Sequence, residues 1–148
     1  MIHNCPNDSF ALAVAEAQAG LKQGGIPIGA VLEVGGQVIS TGRNERVQLG
    51  DPIAHGEIAC LRNAGRLKSY RSAILYTTLA PCAMCAGAIV QFGIPTVVVG
   101  ENATFPGELE WLRSRGVDVR VSDDKECKLL MDIFISRYPD IWAEDIGE

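Results

Sequence analysis

The chain has 148 residues, 47% hydrophobic and 21% charged, with a formal net charge of −5. That length suits one domain burying roughly 70% of its unfolded surface, and no run of about 18 apolar residues is present to cross a membrane as a helix. The acidic balance argues against a nucleic-acid partner, because Lys and Arg supply most of that affinity.

The opening Met1-Ile2-His3-Asn4-Cys5-Pro6 has neither the basic nor the apolar region of an export signal. No repeat, low-complexity tract or linker divides the chain, so a single domain over 1–148 is expected. Phe10, Val14, Ala17 and Leu21 recur at helical spacing and predict a helix over 7–23. Asn7, Asp8 or Ser9 can cap it, and Gly24-Gly25 ends it. A hairpin follows, 28–34 out and 37–41 back, turning at Gly35-Gly36. The polar stretch 42–52, with Asn44 in it, reads as a loop. A helix is expected over 54–67, which puts His55 and Glu57 in its first turn. A strand at 73–78 precedes Pro81, and a helix at 82–92 carries Cys82 and Cys85 in its first turn, on one face. Then come a strand at 95–100, a helix at 107–115, a strand at 117–122, a helix at 123–137 and a short final segment, 140–148. Alternating strands and helices imply a parallel sheet with right-handed crossovers, and the hairpin adds an antiparallel part. The expected fold is a three-layer α/β/α sandwich on a five-stranded mixed sheet.

Two short stretches carry the chemistry, His55-Gly56-Glu57 and Pro81-Cys82-Ala83-Met84-Cys85. One imidazole and two thiolates make a three-ligand zinc set, and the fourth tetrahedral position stays open, as in catalytic rather than structural sites. Both cysteines sit at a predicted helix start, where the dipole favours thiolate. Glu57 is a hard ligand for so soft a set and reads better as a proton carrier beside a zinc-activated water. Each residue also has a plainer reading. A CxxC by itself is equally a redox pair or half of a structural zinc site, but no thioredoxin-like order surrounds it. Cys5, Cys60 and Cys127 offer no second pair, and His3 is the only other histidine. His55 taken singly is a partly buried core histidine, and Glu57 a first-turn glutamate stabilised by the helix dipole. Asn44 is a loop turn, Phe105 and Trp142 are core aromatics, and the acidic end is a solvated tail. The joint spacing lifts the zinc set above these. Five cysteines, an odd number with two in the CxxC, suit a reducing cytoplasm.

H-x-E followed by P-C-x-x-C marks zinc-dependent nucleobase deaminases, and the sequence resembles the cytidine deaminase superfamily. It looks most like the small free-base cytosine deaminases of the fungal type. The likeness runs through Gly24-Gly25-Ile26-Pro27-Ile28-Gly29, the Asn44 loop, the zinc motif, Val99-Gly100-Glu101-Asn102 and the closing Trp142-Ala143-Glu144-Asp145-Ile146-Gly147-Glu148. It implies one zinc on His55, Cys82 and Cys85, with Glu57 shuttling protons. It also implies a base held by Asn44 at the ring carbonyl, Asp145 at the amino side, Phe105 and Trp142 over the ring, Ile28 beneath it, and Gly56. Strand order 2-1-3-4-5, a homodimer, a small pyrimidine substrate and a place in pyrimidine salvage belong to the same implication. Ala80, Ala83 and Ala143 depart from the fungal pattern, and Ala143 leaves isocytosine open beside cytosine. Guanine, a nucleoside or nucleotide, and tRNA adenosine are the further alternatives within the superfamily.

Overall fold

Helix α1 (Pro6–Lys22) leads into the hairpin of β1 (Gly29–Val34) and β2 (Gln37–Arg43), in a computed structural model that describes residues 6–148. His3, Cys5 and the side chains of Asn7 and Asp8, two of the three expected caps, lie outside the described residues and side chains. Ser9, the third, does not cap α1; its hydroxyl donates to buried Glu33 at 2.6 Å. Gly35 and Gly36, at φ 59° and 82°, give the turn the two left-handed residues that a tight hairpin needs. Next come α2 (Arg46–Leu49), α3 (Gly56–Ala64), β3 (Ala73–Leu79), α4 (Ala83–Phe92), β4 (Thr96–Glu101), α5 (Leu109–Ser114), β5 (Asp118–Val121), α6 (Lys125–Arg137) and α7 (Pro139–Asp145).

The sheet has five strands in the order β2-β1-β3-β4-β5, as expected. β1 pairs antiparallel with β2 and β3, while β3–β4 and β4–β5 are parallel. α1 and α6 pack on one face, and α3, α4 and α5 on the other. Successive residues of a strand point to opposite faces. Ala30 and Leu32 therefore enter the core under α3 and α4, with Cys60, Leu75, Ile89 and Val97, while Val31 turns towards Ala13 of α1. A further apolar group, with Ile28, Leu79, Met131, Phe134 and Trp142 among its members, lies where α6 and α7 meet the sheet.

Several boundaries differ from the sequence reading. β2 extends to Arg43 because Gly42 and Arg43 still pair with Ala30 and Gly29. The expected loop then makes a one-turn helix, α2, whose Arg46 N–H donates to the Asn44 side chain. α3 starts at Gly56, so His55 is its N-cap with extended backbone rather than a first-turn residue, and the helix stops at Ala64, before Gly65. Cys82 is likewise the N-cap of α4. The closing segment is helical, begun by Pro139, whose missing N–H costs nothing at a helix start.

Candidate active site

The site lies outside the carboxyl ends of the parallel strands, where crevices form in open α/β sheets. β3 ends at Leu79 and feeds Ala80, Pro81 and Cys82 into α4; β4 ends at Glu101 and feeds the turn that carries Phe105. His55 and Cys82 have extended backbones as N-caps, φ −71° and −72°, and neither side chain caps its own helix. Both are thus free to point at a shared centre. Cys85 joins them from the first turn of α4. Gly56 lets α3 begin against β1, because a Cβ there would stand 3.1 Å from the Ile28 carbonyl oxygen.

His55 Nδ1 is 3.5 Å from Cys82 Sγ and 3.8 Å from Cys85 Sγ. All three ligand atoms lie within 4.8 Å of one another, the only such group among the described residues. Donors around one tetrahedral zinc, with bonds of about 2.0–2.3 Å, stand roughly 3.6 Å apart. The donor set and its spacing therefore fit zinc, with one coordination position left open.

Protons are distributed unevenly over this cluster. The Cys85 hydrogen bond, helped by His55, holds the Cys82 thiol down at about 4 against burial. Cys85 itself keeps its proton well above the usual thiol range, since it donates towards Cys82 and is buried. Burial lowers the His55 pKa, but Asp145 and Cys82 outweigh it and raise it to about 10. A bound cation takes the place of the protons on Cys85 and His55, because thiolate and neutral imidazole are the ligating forms. Glu57, 4% exposed, is pushed up from 4.5 to about 7 by burial and by the charge on Cys82.

The cavity beside this cluster is narrow, with about 20 Å³ open to the centre of a water molecule. Its walls include His55, Glu57, Cys82, Ile28, Phe105, Trp142 and Asp145. The Phe105 and Trp142 rings meet edge to face at 6.0 Å. Asn44 is fully buried but does not line the cavity; its Nδ2 donates to Asp145 Oδ1 at 3.4 Å. Asp145, which does line it, also faces His55 Nε2 at 3.2 Å, with its carboxylate 3% exposed. A carboxylate on the second imidazole nitrogen fixes which nitrogen faces the metal, a contact that sequence reasoning did not give Asp145. Of the three departures from the fungal pattern, only Ala80 lines the cavity; Ala83 is exposed and Ala143 half-buried. Arg46, also missed in the sequence, reaches both Glu144 and Asp145.

Residues 4–101 match the cytidine and deoxycytidylate deaminase zinc-binding region. The chain is 45% identical over 140 residues to a cytosine deaminase of Candida albicans, covering 93% of each chain. It is 42% identical over 100 residues to a tRNA-specific adenosine deaminase of Buchnera aphidicola, covering 64% of this chain and 66% of that one. A solved tRNA:A34 deaminase superposes with a TM-score of 0.71 at 30% identity, over 84% of this chain and 99% of that one.

Proposed function

This chain belongs to the cytidine and deoxycytidylate deaminase family, and from that premise we propose that its substrate is a free aminopyrimidine base, cytosine, hydrolysed to uracil and ammonia. The chain is a zinc-dependent hydrolytic deaminase. The reading of the substrate is carried by the cavity. Its interior is narrow, with about 20 Å³ open to the centre of a water molecule, far below the roughly 300–1,000 Å³ of pockets built for drug-sized ligands, and α7 closes one side of it. A single flat ring between Ile28 and the Phe105–Trp142 pair suits that space better than a ring bearing a ribose. The extended likeness to a cytosine deaminase supports the same choice.

His55, Cys82 and Cys85 hold the zinc, which supplies a water acidic enough to serve as nucleophile near neutral pH. Glu57 moves the protons. Its carboxyl lines the cavity beside the metal ligands, where it can accept one and return it. It takes a proton from the attacking water and passes it to the ring nitrogen beside the amino-bearing carbon. It then carries the water's second proton to the amino group, which leaves as ammonia. Asp145 holds His55 through one oxygen and faces the amino side of the base, Asn44 holds Asp145 from behind, outside the cavity wall, and Gly56 keeps the floor close.

The test is ammonia release by the zinc-loaded protein from cytosine, isocytosine, guanine and cytidine in parallel. Cytosine turnover, with isocytosine as the nearest competitor, is expected. Turnover of guanine or cytidine without cytosine would overturn the substrate. The same reading makes 1–148 one deaminase domain working in the cytoplasm in pyrimidine salvage, as a homodimer. Support for the dimer is the apolar face of α3 and α4, where Phe92 is 46% exposed and stacks on Tyr70 beside Leu61 and Leu67. Sedimentation at micromolar concentration distinguishes dimer from monomer.

A further inference from the structure

We propose that Arg46 is a positioning residue for the deamination, fastening α7 and its Asp145 over the base cavity; this rests on the deaminase reading above. Arg46 opens α2, two residues beyond Asn44, and its side chain is only 18% exposed. One terminal nitrogen of its guanidinium pairs with Glu144, and its Nε faces Asp145 Oδ1 at 3.9 Å. That Nε is buried and otherwise without a hydrogen-bond partner. Its backbone is fixed as well, since the Arg46 N–H donates to Asn44 Oδ1 at 3.0 Å while Asn44 Nδ2 donates to Asp145. Three groups therefore converge on one nearly buried carboxylate: His55, Asn44 and the guanidinium.

α7 has seven residues, far too few to be stable by itself in water. Its place is set by what it touches. On the inner side Trp142 seats in the apolar group with Ile28, Leu79 and Phe134. On the outer side, among the described residues, Arg46 is the one cation paired with it. Arg suits this task better than Lys because its planar fork spans two acceptors at once.

Removing the guanidinium leaves Asp145 with less to compensate its burial, held by His55 and Asn44 alone, and takes from Glu144 its cation. The walls that recede are those of the base cavity, Trp142 and Ile146. Glu57, Cys82 and Cys85 are carried by α3 and α4 and keep their places, and His55, also carried by α3, is the one ligand that feels the change, through Asp145. Base binding should therefore suffer more than the chemical step.

The experiment uses the full zinc-loaded protein with Trp111→Phe, which leaves Trp142 as the only tryptophan, since the chain has two. Acrylamide quenching of Trp142 reports the seating of α7 independently of turnover. Arg46→Ala should raise quenching several-fold and raise KM for cytosine about tenfold, with kcat changed much less. Arg46→Lys and Glu144→Gln should fall between Arg46→Ala and the parent in both readouts. Parent-like quenching and KM in Arg46→Ala, or a fall in kcat with both unchanged, overturns the proposal. Should Arg46→Ala not fold, parent-like values in Arg46→Lys and Glu144→Gln overturn it equally. A parent that releases no ammonia from cytosine refutes the substrate instead, and quenching then still decides whether Arg46 holds α7.

Discussion

A carboxyl stripped of water and set beside a thiolate gives up its proton late, and Glu57 is held in that condition at about 7. Glu57→Gln keeps the shape and removes the proton traffic, so kcat should fall by about 10²–10⁴. Zinc per chain, read by metal analysis, should stay as in the parent; near-normal turnover would take the role away from Glu57. The thiols differ as sharply. After chelation, Cys82 should be alkylated first at pH 7, because it is already a thiolate and half-exposed. Cys60 and Cys127 are buried with raised pKa and should stay silent in the peptide map. Zinc added before alkylation should restore turnover, and zinc added afterwards should not. His55, Glu57, Cys82 and Cys85 could be read in the sequence because their spacing within each short motif encodes the geometry. Arg46 could not, because its partner Glu144 is 98 residues away and only the fold brings them together.

At the level of elements, α3 is locked onto β2 by a small buried cluster that titrates. The Ser40 hydroxyl donates to the Cys60 carbonyl oxygen at 2.8 Å and stands 3.4 Å from its sulfur. Burial lifts the Cys60 pKa from 9.0 to about 11, the Ser40 hydrogen bond opposing it. The folded state thus retains a proton that the unfolded state has lost above pH 9, so the contribution is complete below pH 9 and declines as pH rises towards 11. The decline is up to about 3 kcal/mol. Cys127, raised by burial and by Asp124, adds to it. Thermal unfolding at pH 8, 9, 10 and 11 should show Cys60→Ala with a shallower fall than the parent; parallel curves would remove Cys60 from the cause. The existence and type of almost every element followed from periodicity and from Gly and Pro punctuation. The shifts of two residues at His55 and one at Cys82 did not, because an N-cap and a first-turn residue look alike in a pattern of apolar positions. α2 was missed because its single turn depends on the Asn44 side chain, and α7 was left without a helix because its support is tertiary.

The whole molecule decides what the fold leaves open, since the same architecture superposes on a tRNA:A34 deaminase and fold does not fix substrate. Here charge discriminates. With 13 Lys and Arg against 18 Asp and Glu, the surface is a poor match for a polyphosphate, and Arg46 is spent on α7. A protein that neutralises 6–10 phosphates loses about 10³–10⁵ in affinity between roughly 50 and 200 mM salt. A neutral base entering a small cavity releases no counterions. The kcat/KM for cytosine should therefore change by less than about twofold across that range. A tRNA anticodon stem-loop in excess over the protein should leave it unaltered. A steep loss of cytosine turnover with salt, or inhibition by the stem-loop, would reveal a polyanion site near the cavity mouth, and the choice of a free base would then have to yield to a nucleic-acid substrate.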